Sequence, residues 1–378
     1  MSPLPKQVLP ALVAPALALA FATLISALVL LTSGADPLLT FNSMLDFGVR
    51  PDQVVNTVNQ ATTYYLAALA VAVGFRMNLF NIGVDGQYRL AALLAAYLGG
   101  AVSLPAPLHI ALIFLVAMAV GAAWASIAAV LKVRRGVSEV ISTIMLNAIA
   151  TALGAYLLST WLSVPVAGSN NIGTKPIGFS GQIPGLPFPG TSNRIFGLVF
   201  AAVLVGVGYH VLVSRTRFGF DLRATGLSTP AAVASGVHVR RMVLVTMGIS
   251  GGIAGLIGMP QLLGSSHSYS LDFPAGLGFA GIGIALLGRN NPIGIAFGSL
   301  LFGFLDQSSQ ILDLEGIPKE IVAIMQATLV LSVVSAYEMV RRIRLRQQQR
   351  QVGAGPAAAP PAPGAPPDAG RSGSGGPA

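Results

Sequence analysis

Long apolar runs separated by short polar breaks set the pattern of this chain. Runs close to the bilayer-spanning length of about 20 residues fall at 8–32, 57–75, 86–103, 107–131, 138–163, 194–213, 242–263, 274–288, 292–311 and 319–340. They are rich in Leu, Ala and Val and lack the alternating polarity of membrane strands, so they predict helices rather than a barrel. The expected fold class is all-α: a polytopic helical membrane protein with about ten transmembrane helices. Two runs stand apart, because 274–288 is short and Gly-rich and 86–103 opens among polar residues. The first run extends well past a signal-peptide core, with no small-residue cleavage site after Leu31, and is expected to be retained. Residues 1–344 read as the transmembrane domain. From 345 the chain is Gln/Arg-rich and then Pro/Ala/Gly-rich without apolar periodicity, which predicts a disordered cytoplasmic tail over 345–378.

Charge gives the topology its direction. With the N-terminus inside, ten crossings place seventeen Lys and Arg on the cytoplasmic side and four (Arg50, Lys175, Arg194, Lys319) outside, while Arg89 lies at a helix start. That asymmetry follows the positive-inside rule and predicts both termini in the cytoplasm. The formal charge of +9 is thus topological, and no nucleic-acid partner is expected. Hydrophobic residues make up 53% and charged residues 9%, against about 25% charged in soluble domains. Cys is absent and the four His are scattered, so neither a thiolate site nor an HExxH-type metal site is available. No bound cofactor or metal is expected.

Gly276 to Gly281 matches GxGxxG, but inside an apolar run it reads as close helix packing rather than a dinucleotide turn. The pairs Gly248/Gly252, Gly251/Gly255 and Gly294/Gly298 have the four-residue spacing that lets helix backbones approach. A phosphate-cradling loop needs Gly before Lys, yet the four lysines follow Pro5, Leu131, Thr174 and Pro318. The chain is therefore not expected to be an enzyme, and any ATP-driven work must come from a partner.

Polar residues interrupt this pattern in four places. The segment 76–89, with Asn78, Asn81, Asp85 and Gln87, is either a broken helix beside a solute path or an ordinary interfacial loop. Glu139 opens a helix after Arg134 and Arg135, where the helix dipole favours a carboxylate. Thr143 and Asn147 share one side of that helix, for a path or for interhelix hydrogen bonds. Asp306 to Gln310 end an apolar run, and His267 and Asp272 lie in a short outer loop. In 214–241, Thr229 can cap a short helix with Pro230 first and Gly236 closing it, flanked by arginines. A helix that short needs something to dock against, unless the segment is simply a basic loop.

Four blocks resemble the branched-chain amino acid, simple sugar and nucleoside group of bacterial ABC importer permeases: Asn78 to Gln87, Gly136 to Asn147, Phe218 to Gly236, and Gly276 to Gly294. They occur in the family's order. The first two are most like the nucleoside branch, with Asp85 where Glu is usual and Ser138 where Asn is usual. In the third, Ser228-Thr229 replace the usual Asn before Pro230. The resemblance implies a permease subunit that translocates nucleosides by alternating access in the bacterial cytoplasmic membrane; a simple sugar of the same family is the alternative substrate. It implies a second, similar permease chain, an ABC ATPase with two nucleotide-binding units that uses the ATP, and an external substrate-binding protein, often a lipoprotein. It further implies an ATPase-coupling segment carrying Phe218, Gly219, Arg223, Gly226, Pro230, Ala231, Ala232 and Gly236. Asn78, Asn81, Asp85, Gln87, Glu139, Thr143 and Asn147 would line or support the path. An ion-coupled secondary transporter would need midplane carboxylates and inverted repeats, and the sequence offers no obvious repeat.

Overall fold

The computed structural model describes residues 9–165 and 171–353. Its helices are α1 (Leu9–Thr32), α2 (Pro37–Gly48), α3 (Pro51–Phe75), α4 (Val84–Ala101), α5 (Ala106–Arg135), α6 (Glu139–Leu157), α7 (Leu198–Arg215), α8 (Arg217–Leu227), α9 (Thr229–Ala234), α10 (Val239–Gly255), α11 (Met259–Gln261), α12 (Leu277–Leu287), α13 (Pro292–Ser308), α14 (Gln310–Leu314) and α15 (Glu320–Gly353). Each of the ten apolar runs contains a helix. Capping chemistry sets several boundaries. Asp36 accepts from the Leu38 and Leu39 N–H groups at 2.8 and 3.1 Å ahead of Pro37, and Asn291 caps α13 in the same way ahead of Pro292. Gly136, at φ 70°, stops α5.

Four helices are long and apolar enough to cross a membrane by length and composition: Ala106–Arg135, Glu139–Leu162, Leu198–Arg215 and Val239–Ser266. Residues 20–32 and 37–48 pass together but are bent by 112°. The remaining apolar runs form shorter or more polar helices, several of them packed inside the bundle. Of these α3 is the pillar, and every residue from Ala67 to Val73 is fully buried. The helix α2 was not among the expected elements, and α15 runs to Gly353, past the boundary set at 344. The rest of the expected tail, 354–378, lies outside the described residues.

Small residues bring the helices together. A Cβ on Gly121, Gly251 or Gly255 would collide with the facing backbone of α5 or α10, and one on Gly281 would meet the Ala67 backbone of α3. At Gly248 and Gly252, by contrast, the nearest atoms lie 4.0 and 3.8 Å away, so that pair is not a close approach. The connection between α6 and α7 carries two short antiparallel pairs, β1 (Ser163–Pro165) with β2 (Ile172–Thr174) and β3 (Leu186–Pro187) with β4 (Arg194–Ile195). It is tied to 263–269 through Thr174 N–H to Tyr269 O, Ile177 N–H to His267 O and Ile183 N–H to Leu263 O.

Candidate functional site

Between α3 and α4 the chain turns back along α3. Asn78 adopts φ 55°, and the Leu79 N–H donates to Gly74 O at 3.0 Å, so the irregular segment after the turn lies beside the end of the helix it has just left. Non-helical backbone at membrane depth must find protein partners, and side chains supply them. Asn81 and Gln87 exchange amide hydrogen bonds at 3.0 and 2.9 Å, and Asn81 Oδ1 also accepts from Gly83 N–H. Asn81 donates to the Ser250 hydroxyl of α10, which donates to Ala70 O of α3. Asn147 of α6 completes the set by donating to Ile82 O and accepting from Gly86 N–H, both at 2.8 Å.

The N-termini of α4 and α12 meet at Asp85. This buried carboxylate sits in the first turn of α4, and its Oδ1 accepts from Gly276 N–H at 2.8 Å and Gly278 N–H at 3.4 Å. Gly276, at φ 84°, caps α12 without a side chain, so Asp85 supplies the acceptor from another helix. Two positive dipole ends around one anion are mutually stabilising. A Cβ at Gly278 would strike the Asp85 backbone, which makes glycine a requirement of the junction. Tyr88, fully buried, donates to Pro274 O just above.

Depth follows from helix length. Just past the far end of α12, the Asn290 carbonyl accepts from Arg76 Nη2 and the Tyr209 hydroxyl at 2.7 and 2.8 Å. The eleven residues of α12 rise about 16 Å at 1.5 Å each. Asp85 therefore stands about 16 Å from the Arg76 end, measured along α12.

Of the seven expected path residues, the structure brings Asn81, Asp85, Gln87, Thr143 and Asn147 together around 82–86. Thr143 is buried, donates to Glu139 O at 2.7 Å, and would meet a Cβ on Gly83. Glu139 lies a turn away, paired with Lys132. Asn78 is exposed and donates to Gly226 O of α8 at 2.7 Å.

That contact links the turn to the expected coupling segment, which forms two helices rather than one. Thr216 caps α8 by accepting from Gly219 N–H at 3.0 Å. A Cβ on Gly219 would strike the Leu212 and Val213 carbonyls, and Arg223 donates to Val213 O, closing the last turn of α7. Phe218 is half-buried against the core. Gly226 lies against the Arg76 and Met77 backbone with no room for a Cβ. The α9 cap is Ser228, which accepts from Ala231 N–H, and not Thr229: Pro230 then occupies the second helical position. Pro230 and Ala231 are exposed, Ala232 is buried, and Gly236 at φ 85° ends the turn. Three large apolar side chains on these helices face out: Phe220 (63% exposed), Leu227 (89%) and Val233 (57%).

Sequence reasoning missed Ser250, Arg76, Tyr209 and Asn290. Each has its partner more than 80 positions away, and Asn290 takes part through its backbone carbonyl, so spacing carries no signal for them. Asp306 accepts from the Tyr64 hydroxyl at 3.4 Å, which ties the end of α13 to α3. Among the described residues, no cluster of three or more metal-type ligands is present. A cavity of about 660 Å³ between α3, α7 and α13 is lined almost wholly by apolar groups.

Comparison with known proteins matches residues 53–334 to the family described as branched-chain amino acid transport system / permease component. The chain is 33% identical to the guanosine ABC transporter permease protein NupP of Bacillus subtilis, over 86% of this chain and 94% of that one. It is 29% identical to the nucleoside ABC transporter permease protein NupB of Lactococcus lactis (84% and 88% covered). Similarity to the glucose ABC transporter permease protein TsgB13 of Haloferax volcanii is 30% (90% and 92% covered).

Proposed function

The chain belongs to the branched-chain amino acid transport system / permease component family, and on that premise we propose that it is the membrane subunit of an ATP-driven importer for nucleosides. A permease of this family is a transport subunit and not an enzyme. The nucleoside assignment rests on the relatives, the guanosine permease giving the highest identity of the three compared. In this reading the chain crosses the bacterial cytoplasmic membrane ten times with both termini inside, paired with a second, similar permease. An external binding protein delivers the solute, and a separate ATPase with two nucleotide-binding units supplies the energy, so this chain binds no cofactor.

The observation that carries the mechanism is the hydrogen bond from Asn78 to Gly226 O. It joins α8 and α9, which present apolar side chains beside Arg215, Arg217, Arg240 and Arg241, to the turn that leads to Asp85. Exposed apolar groups outside the bilayer call for a protein surface, and the ATPase fills that role. Its closure pushes α8–α9, the close contact at Gly226 displaces 76–78, and α4 and the short α12 shift at Asp85. Asn81, Gln87, Thr143 and Asn147 support this path by holding the re-entrant backbone, and Glu139 with Lys132 anchors the α5–α6 corner.

The substrate class is tested by competition. The complete importer in proteoliposomes should take up labelled guanosine, with uptake abolished by excess unlabelled nucleoside and unaffected by excess glucose. Competition by glucose alone would move the assignment to the sugar branch.

A further inference from the structure

Arg89 is a charge within the helix bundle that feels Asp85 electrostatically and hydrogen-bonds Tyr269, yet forms no close ion pair among the described residues. It lies one turn beyond Asp85 on the same face of α4. Asp85 directs its Oδ1 at Gly276 and Gly278 instead. Arg89 Nη1 donates to the Thr151 hydroxyl of α6 at 3.3 Å, and Tyr269 lies beside the guanidinium. Arg89 Nε is removed from solvent and has no protein partner.

Two helix counts agree on its depth. Thr151 lies twelve residues beyond Glu139, the first residue of α6, hence about 18 Å from the arginine-rich end. Arg89 lies about 6 Å beyond the Asp85 level, itself about 16 Å up. Its side chain is half-buried and Thr151 is exposed, so the pair opens on the outer surface of this subunit, well inside the span of the bundle. An arginine facing acyl chains there is costly, and intramembrane charges face the bundle interior or a water-filled cavity.

We propose that Arg89 and Thr151 face an aqueous passage, and that the guanidinium donates to the adjacent carbonyl and ring-nitrogen acceptors of a purine nucleoside as it crosses. The inference deepens the nucleoside reading above and rests on it for the solute. A guanidinium presents its donors in a fixed fork that matches two neighbouring acceptors, and the oxygen–nitrogen edge of guanine is such a pair. Thr151 adds a hydroxyl that serves as donor or acceptor.

The native chain contains no Cys, which permits a direct test in the reconstituted importer. Arg89→Cys and Thr151→Cys should each react with a water-soluble, membrane-impermeant thiol reagent. Leu204→Cys, on the apolar face of α7 (71% exposed), should not. Arg89→Gln should lower guanosine uptake about tenfold while lowering uptake of 7-deazaguanosine, which lacks the ring-nitrogen acceptor, far less. Failure of both cysteines to react would overturn the passage, and equal loss for the two nucleosides would overturn the donor role. Labelling of both positions in an importer that takes up no nucleoside would uphold the passage and remove the nucleoside reading alone.

Discussion

Asn147 does for the re-entrant segment what a neighbouring strand would do for a sheet, by offering one donor and one acceptor to Ile82 O and Gly86 N–H. Asn147→Leu would leave both groups without a partner, at roughly 1–3 kcal/mol for each. The expected outcome is a lower unfolding midpoint for the purified protein in detergent, read by intrinsic fluorescence. Asp85 plays a different part, as an anion shared by two helix N-termini. Replacement by Ala removes an acceptor worth about 1 kcal/mol, the usual scale of an N-cap, together with its interaction with the dipoles of α4 and α12. Asp85→Ala should therefore lower stability, with Asp85→Asn in between because it keeps an oxygen acceptor and loses the charge; a thermal series of the three proteins checks that order. The candidate residues were legible as polar groups in an apolar setting. Their geometry was not, since it depends on the left-handed turn at Asn78 and on Ser250, some 170 positions from Asn81.

At the scale of elements, the helices were readable because a membrane demands long apolar segments, and the two runs that stood apart in the sequence proved to be the informative ones. The short Gly-rich run became α12 and the polar-headed run became α4, the two helices whose N-termini meet at Asp85. Helix α2 escaped notice because its polar–apolar mixture falls below a spanning signal, even though Asp36-Pro37 is a recognisable helix start. The coupling segment was read as a single capped helix because Pro230 dominates that stretch, whereas α8 has its own cap in Thr216. Glycine spacing predicted a close helix approach at Gly251 and Gly255 but not the facing helix, α5, which meets them at Gly121 and Ala117. Gly251→Leu should force α5 and α10 apart, at about 1–3 kcal/mol for an overpacked site, and appear as reduced yield of folded protein on size exclusion. Gly226→Leu acts elsewhere, since its Cβ would push against the Arg76–Met77 backbone. That variant should retain the ATPase in the purified complex and hydrolyse ATP with little uptake; coupled uptake at the normal ratio would remove α8 from the transmission path.

Over the whole molecule, Arg76, Tyr209 and Asn290 meet beside the turn that Asn78 ties to α8, and α8 and α9 expose Phe220, Leu227 and Val233. In the proposed mechanism, energy entering there passes through the contact of Asn78 with Gly226 and along the turn to Asp85. A carrier that worked on an ion gradient would need no such docking face. The most direct measurement is therefore guanosine uptake by proteoliposomes containing the purified importer, assayed with and without the ATPase subunit and with proton and sodium gradients collapsed by ionophores. Uptake should require the ATPase and internal ATP and continue undiminished when the gradients are abolished. Uptake by the permease without its ATPase, or loss of uptake on collapsing either gradient, would contradict the account.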